Sequence, residues 1–311
     1  MHQLRSIRLA TSLAGLALLV TAGCAGVRST AVKPAAGGRP PAAGEVRLVV
    51  SRDFGARILK DVLAPVGKDE TVLRLLADHC DVDTAYGGGF VNGIDGLRST
   101  FGGASSDDAA DWFYWVDGRM GGSGAGDTRL MGGETTWWDY HRWAGAMFIP
   151  ASLHAFPAPF LGSPLALADN GSARPLAAWA EQNGLQLGVQ QRLTQRPAGR
   201  ALVVATIGEA SATTWLRAIV DRGSKAGVFV SVAAGALRAL TQAGALGPQL
   251  EAAAFAVPGT DDPAEISLVL IARDQSALAD LLRGLTPQAA SAHVALGLRG
   301  ERVVPLPTSS E

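Results

Sequence analysis

The chain has 311 residues, of which 48% are apolar, and its 27 Lys and Arg balance 28 Asp and Glu to leave a net charge of −1. The basic residues are scattered along the chain and form no cluster. A nearly neutral chain of this kind offers no electrostatic basis for binding nucleic acid or an anionic lipid surface. Its apolar content is sufficient for two compact domains with cores of their own.

The first residues are typical of an export signal. Arg5 and Arg8 give a positive start, and the apolar run from Leu9 to Val20 that follows is about a dozen residues long, shorter than the roughly 20 needed to cross a bilayer. The tetrapeptide 21–24, Thr-Ala-Gly-Cys, resembles the lipobox cut by lipoprotein signal peptidase. In lipoproteins with that motif, the equivalent of residues 1–23 is removed and the new amino-terminal cysteine, here Cys24, carries a lipid. The alternative is an ordinary secretory signal with an incidental cysteine.

These features predict an exported protein that is attached to the cell membrane through a lipid on Cys24 and faces the extracytoplasmic side. Residues 24–44 are rich in Ala, Gly and Pro without a hydrophobic period, so we expect a flexible tether there. Once Cys24 is lipidated, Cys80 is the remaining cysteine, and an intramolecular disulfide is then excluded.

Alternating apolar residues begin after the tether. They predict one strand from Val46 to Val50 and a second from Ile58 to Ala64, joined by a turn at residues 53–55. Asp69 is predicted to cap a short helix that ends before His79. Two later strands are predicted at 112–116 and 135–140. This order of strands and helix favours a β-grasp-like α+β domain over residues 45–145.

The composition changes at about residue 144, where the aromatic density falls and prolines interrupt the chain. Residues 146–311 are predicted to form a small α/β or α+β sandwich domain whose role the sequence does not identify. The predicted strands are 202–207, 228–232, 253–257 and 266–272. The predicted helices are 213–220, 234–240 and 275–282, followed by a hairpin over 294–304.

Trp and Tyr are concentrated in one short segment. Eight of the ten lie between Tyr86 and Trp143. Strand alternation sends Trp112 and Tyr114 to one face of a sheet and Trp115 to the other. One of the two faces can fill the core, while the other is either covered by the second domain or left as an aromatic platform.

Several motifs of this region carry a family resemblance. They are Arg-Asp-Phe-Gly at 52–55, Tyr-Gly-Gly-Gly-Phe-Val at 86–91, Ile-Asp-Gly-Leu at 94–97, Asp-Trp-Phe-Tyr-Trp-Val-Asp-Gly at 111–118 and Trp-Trp-Asp-Tyr-His-Arg-Trp at 137–143. Together they resemble a bacterial domain of unknown function that is similar to the carboxyl-terminal domain of transcobalamin and intrinsic factor. The resemblance covers about residues 45–145 and implies a β-grasp-like fold. In the vitamin carriers, the matching domain closes over a corrinoid that is held against a helical barrel, and the sequence predicts no helical barrel here.

The cluster predicts a binding protein that captures a small planar ligand. Rigid aromatic side chains bury a large area at low entropic cost, and a corrinoid-like ligand is the one that the resemblance implies. The expected contacts are Tyr86, Phe90, Trp112, Tyr114, Trp138, Tyr140 and His141. A vitamin importer in the membrane is the partner expected to receive the cargo. Two alternatives stay open: the same rings dock a protein or cell-wall partner, or they form the interior of the domain and its interface with the second one.

Sequence motifs of enzymes are weak in this chain. Asp139 and His141, with Asp53, have the residue types of a carboxylate-oriented histidine, which leaves hydrolysis as an alternative, yet no paired nucleophile stands out. The glycine-rich loop 121–127 lacks the Lys-Ser/Thr ending of a phosphate cradle. The group from His79 to Asp83 lacks the ligand spacing of a metal site. We therefore predict no catalytic residue, no metal and no bound cofactor.

Overall fold

The computed structural model describes residues 38–100, 108–171, 176–260, 262 and 265–308, together with the backbone of 33–34. The predicted export signal and Cys24 lie outside the described residues. The described residues all belong to one compact unit. Its helices are short, and none has the length and apolar character that crossing a bilayer requires.

The fold is a mixed α/β structure that is rich in strands. The described strands are β1 (Lys33–Pro34), β2 (Glu45–Arg52), β3 (Arg57–Pro65), β4 (Val82–Ala85), β5 (Phe90–Ile94), β6 (Leu97–Arg98), β7 (Ala110–Val116), β8 (Arg119–Met120), β9 (Thr135–Arg142), β10 (Leu165–Ala168), β11 (Leu187–Gln191), β12 (Ala201–Thr206), β13 (Val230–Ala233), β14 (Ala236–Leu240), β15 (Leu246–Leu250), β16 (Ala252–Pro258), β17 (Ile266–Ala272), β18 (Ala295–Arg299) and β19 (Arg302–Leu306). The described α-helices are α1 (Val72–Ala77), α2 (Leu176–Gln182), α3 (Ile207–Ala212), α4 (Thr214–Asp221), α5 (Gln275–Gly284) and α6 (Pro287–Ala290). Single turns of 3-10 helix occur at Tyr86–Gly88, Ala158–Phe160 and Gly223–Ala226.

The first large sheet has six strands in the order β1-β3-β2-β9-β7-β8. Its neighbours are antiparallel except for β2 and β9, which run parallel at its centre. A small antiparallel sheet of β4, β5 and β6 stands beside it. Because β8 pairs only with Trp115 and Val116, the outer edge of β7 from Ala110 to Tyr114 has no neighbouring strand among the described residues.

The second large sheet has seven strands in the order β11-β10-β12-β17-β16-β18-β19. The strands from β11 to β17 are parallel, and those from β17 to β19 are antiparallel. Helix α5 packs against one face with the buried residues Leu278 and Leu281. A separate three-stranded sheet consists of β13, β14 and β15.

The two faces of the first sheet are buried in different ways. Val46, Leu48 and Val50 face α1 and form one core with it. On the opposite face, Trp115 and Trp137 belong to a core that includes residues of the second half of the chain, such as Phe229. Along the chain, the predicted domain boundary at residues 145–146 lies after the strands of the first large sheet and before those of the second. Side chains from before and after this boundary share this core.

Two sequence expectations about local structure were wrong. The segment 234–240 was expected to be a helix, whereas β14 occupies most of it. Ala234 and Gly235 both have positive φ, at 49° and 73°, and form a two-residue turn that pairs β14 with β13. Helix α1 is capped by Thr71, whose hydroxyl accepts from the N–H of Arg74, and not by Asp69. In both places the turn geometry outweighed the residue pattern.

Candidate functional site

A cavity of about 440 Å³ lies beside β7, between the glycine-rich loop that follows β8 and the segment from Tyr86 to Val91. Its volume falls within the roughly 300 to 1,000 Å³ that ligand pockets commonly have. Five of the seven predicted contact residues line it: Tyr86, Phe90, Trp112, Tyr114 and Trp138. The structure thus brings together side chains that are up to 52 positions apart in the sequence.

The alternation of the strands explains why these rings meet. Tyr114 of β7 is paired with Trp138 of β9, so their side chains emerge on the same face, with ring centroids 5.1 Å apart. Trp112 lies two residues earlier on β7 and therefore shares this face. Its indole Nε1 donates to the carbonyl of Leu97 at 2.9 Å, which fixes the orientation of the ring.

Tyr114 is held at both ends. Its hydroxyl donates to the carbonyl of Ser123 at 2.6 Å and lies 2.9 Å from the hydroxyl of Thr128. Gly121 packs directly against the phenol ring, so that a β-carbon at this position would stand only 2.0 Å from Cζ. The glycine-rich loop therefore forms a wall of the cavity, and its backbone approaches the ring more closely than a side chain would permit.

Tyr86 stands at the rim of the cavity. It has a φ of 53°, a left-handed conformation that a bulky residue rarely adopts, and its side chain is 85% exposed. Its ring approaches that of Phe90 edge-on with centroids 6.5 Å apart. A large apolar side chain is thus presented to solvent at the rim in a strained conformation, and strain of this kind clusters at ligand sites.

Further lining residues escaped the sequence prediction. Phe113 and Trp143 add two aromatic residues, and Met120 and Met147 add flexible apolar side chains. Methionine can adapt its shape to different ligands. Trp143 stood in the motif that carried the family resemblance, so the signal was present, whereas Met147 follows β9 in a segment without a distinctive pattern.

Asp111 was also missed, and it is the only charged residue among the described residues that line the cavity. Its side chain accepts from the N–H of Trp112 at 3.0 Å, and the residue is 5% exposed. Desolvation by burial is the main cause that raises the pKa of Asp111, while hydrogen bonds from Ser99 and Trp112 and the nearby His141 oppose it. A carboxylate beside β7 is therefore part of an otherwise apolar cavity.

Trp138 contributes an unsatisfied polar atom to this site. Its indole Nε1 is buried and has no hydrogen-bond partner among the described residues. An unpaired buried N–H costs about 1 to 3 kcal/mol.

Tyr140 and His141 do not line the cavity. The ring of Tyr140 packs against Trp112 with centroids 5.3 Å apart, and its hydroxyl donates to the carbonyl of Arg98 at 2.9 Å. His141 emerges on the opposite face of β9, where it is stacked between Phe54 and Phe113 with centroid distances of 4.3 and 4.5 Å. Strand alternation separates it from Trp138, although the motif at 137–143 contains both residues.

Asp139 and His141 form a buried pair. His141 Nδ1 lies 3.0 Å from Oδ2 of Asp139, and the two residues are 1% and 0% exposed. Ser51 donates its hydroxyl to Asp139 at 2.5 Å and accepts the indole N–H of Trp137 at 2.7 Å. The hydroxyl of Ser51 thus binds the carboxylate rather than the imidazole, unlike a nucleophile that a histidine activates.

Two other groups considered in the sequence have local roles. Asp53 forms an ion pair with Arg52 at 2.8 Å, and within the described part of the chain no hydrogen bond joins it to His141. Burial raises the pKa of the Cys80 thiol to about 11, so it stays protonated at neutral pH. The described residues contain no group of three or more His, Cys, Asp or Glu side chains placed to hold a metal ion.

The fold and site define a mixed α/β protein with an aromatic-lined cavity, and part of the chain is similar to a known family. The model of a domain of unknown function, DUF4430, matches residues 69–142, the part that contains most of the cavity. This confirms that the region carrying the resemblance is a domain of unknown function. No curated protein matches the chain. A solved structure of a protein from Ruminococcus gnavus is described provisionally as a metal-binding protein. Its sequence is 14% identical to this one, the alignment covers 31% of this chain and 94% of that chain, and the TM-score is 0.23.

Proposed function

We propose that this protein is a lipoprotein of the extracytoplasmic membrane face that captures a small planar ligand in its aromatic cavity. The observation that carries the proposal is the cavity itself: five aromatic side chains that the sequence predicted as ligand contacts line one cavity of about 440 Å³. Trp112 and Trp138 belong to the core that β2 and α1 share, at 5% and 2% exposed, and the cavity lies against that core.

The chemistry of the walls favours a flat, largely apolar ligand. Rings such as Trp112 and Tyr114 stack on a planar guest with little loss of side-chain entropy, because hydrogen bonds already fix their orientation. The buried Nε1 of Trp138 has no partner among the described residues and would gain one from an acceptor on a guest that reaches it. The exposed ring of Tyr86 at the rim can cover a bound molecule.

The order of the long strands supports the assignment of this region as a β-grasp domain like that of transcobalamin and intrinsic factor. A hairpin of β2 and β3 leads to α1, and β7 and β9 follow, with β2 and β9 parallel at the centre of the sheet. On this proposal, a corrinoid is the first ligand to test. Because pocket volume limits how much of a ligand is enclosed, a ligand larger than the cavity would be gripped at one edge.

Binding can be tested by titrating the purified protein, without residues 1–23, with corrinoids and smaller planar compounds while tryptophan emission is followed. We expect saturable quenching at micromolar concentrations, and its absence for every compound would contradict capture. Trp138→Phe should weaken binding at least tenfold. Trp179→Phe is the matched control, because Trp179 is also a buried tryptophan with an unpartnered Nε1 and lies in a different core.

The same experiment separates the alternative role as an interaction module. If no small compound binds while a cell-wall fragment or a purified envelope protein does, and Trp138→Phe abolishes that binding, the rings serve a partner surface. On the proposed function, cargo passes to an importer in the membrane, so deletion of the protein should slow uptake of the identified ligand.

A further inference from the structure

We infer that the ligand is an organic cation whose positive charge is held by the carboxylate of Asp111 and by the faces of the surrounding rings. This inference rests on the proposed function, because it specifies the chemical class of the molecule that the aromatic cavity captures. Ring compounds that contain a quaternary or protonated nitrogen belong to this class.

The charge of the residues that line the cavity favours a cationic ligand. Among the described lining residues, Asp111 is the one charged group, and no Lys or Arg accompanies it. Seven of the described lining residues are aromatic, counting Phe, Tyr and Trp. The face of an aromatic ring carries negative electrostatic potential and attracts cations, most strongly where water is excluded. A carboxylate among such rings attracts a cation and repels an anion.

The position of the carboxylate favours a cationic ligand as well. The N–H of Asp117 donates to the carbonyl of Thr135, and the carbonyl of Ala109 accepts from the N–H of Trp143. The odd-numbered residues of β7 therefore direct their backbone groups towards β9. The N–H of Trp112 therefore points to the outer edge of β7. Asp111 emerges on the face of β7 that Phe113 shares, opposite Trp112 and Tyr114, but it accepts that N–H, which brings its carboxylate round to the outer edge of β7, where the cavity lies.

The carboxylate of Asp111 has no Lys or Arg counter-ion among the described residues. Within the described part of the chain, no Lys or Arg forms an ion pair with Asp111, whose carboxylate is hydrogen-bonded to Ser99 and to the N–H of Trp112. A buried carboxylate without a cationic partner is unfavourable, and a ligand that brings the missing charge removes this penalty. The raised pKa of Asp111 agrees with a carboxylate that lacks such a partner.

A pair of probes with the same shape but different charge tests this inference. The cation 1-methylquinolinium and the hydrocarbon 1-methylnaphthalene are both flat two-ring compounds, so a difference in affinity reports the charge. We expect the wild-type protein to bind the cation at least tenfold more tightly in calorimetric or NMR titrations. Asp111→Asn should lower the affinity for the cation at least tenfold more than the affinity for the hydrocarbon.

Asp221→Asn is the matched control, since Asp221 is an exposed carboxylate on α4, which does not line the cavity, and its loss changes the net charge equally. This variant should bind the cation as the wild-type protein does. Equal affinity for the two probes, or tighter binding of the hydrocarbon, would overturn the inference while leaving capture intact. If neither probe binds at millimolar concentration and no other planar compound quenches tryptophan emission, both the inference and the proposed function fail.

Discussion

Gly121 lies directly against the phenol ring of Tyr114, at a distance that leaves no space for a β-carbon. The tyrosine cannot swing away without losing the bonds of its hydroxyl to Ser123 and Thr128. The position of this ring, and with it one wall of the cavity, therefore depends on the absence of a side chain in the opposing loop.

Gly121→Ala should displace Tyr114 or the loop and weaken ligand binding at least tenfold, with a loss of about 1 to 3 kcal/mol in the free energy of unfolding. Gly122→Ala is the matched control, because a β-carbon there meets no atom within 4 Å. Chemical denaturation and ligand titration of both variants check this prediction. Equal behaviour of the two variants would show that the close approach does not constrain the cavity.

Replacing Tyr86 by Gly is expected to raise the stability of the protein and to weaken its binding of the ligand. Replacement by Gly should relieve the left-handed conformation and raise the free energy of unfolding by about 1 kcal/mol, since a ring that is 85% exposed contributes little to the core. Tyr86→Ala removes the same ring and retains the strained backbone, so it should not gain this stability. Both variants should bind the ligand more weakly than the wild type. A Gly variant that is no more stable than the Ala variant would count against strain at this position.

Ser51 joins two buried groups, the indole N–H of Trp137 and the carboxylate of Asp139. Ser51→Ala should leave both without this partner and lower the free energy of unfolding by about 2 to 3 kcal/mol. Ser276→Ala, at an exposed position of α5, should change it by less than about 0.5 kcal/mol. Urea denaturation of the two variants provides the comparison, and a Ser51 variant as stable as the control would refute a structural role for the network.

The burial of His154 predicts that the folded protein loses stability in acid. Its complete burial lowers its pKa to about 3, so the folded protein keeps this imidazole neutral, while the unfolded chain takes up a proton near the ordinary value of 6.5. Protons therefore bind preferentially to the unfolded state between these two values, and the stability due to this group falls as the pH is lowered through that range. Ser152 and the carbonyl of Thr135 hold the neutral ring.

The change with pH can be assigned with His154→Gln, which keeps an amide donor and has no titrating group. Between pH 6.5 and pH 4, the free energy of unfolding should fall less steeply in this variant than in the wild type. Asp117 acts in the opposite sense, because burial raises its pKa to about 6 and its contribution to stability diminishes as the pH rises from about 4 to 6. Identical slopes in the wild type and the His154 variant would contradict the assignment.

Cys24 is the residue on which the proposed attachment to the membrane depends. When the full chain is expressed in a bacterial host, Cys24→Ser should abolish incorporation of labelled fatty acid and leave the precursor uncleaved by the lipoprotein signal peptidase. Cys80→Ser, the matched control, should be lipidated and sedimented with membranes as the wild type is. Labelled fatty acid in the Cys24 variant would disprove attachment through this residue.

The local patterns of the sequence predicted the strands well where alternation or an unbroken apolar run was long. The run 266–272 coincides with β17, and the strand expected at 112–116 lies within β7. Prediction failed at 234–240, because Ala and Leu suit a helix by propensity, while the left-handed pair Ala234 and Gly235 returns the chain as a hairpin. The glycine alone did not reveal that turn, since the preceding residue is an alanine.

The sequence by itself determined which rings share a face, because the two-residue period of a strand is a local property of the backbone. It placed Trp112 and Tyr114 together and Trp115 opposite them, as the two cores show. Only the tertiary structure decided which face retains a cavity. Trp115 is sealed by side chains from distant parts of the chain, whereas Trp112 and Tyr114 lie on β7, whose outer edge has no neighbouring strand within the part of the chain that the structure describes. Whether a volume is filled depends on which surfaces pack against it, and packing between distant segments leaves no period in the sequence to be read.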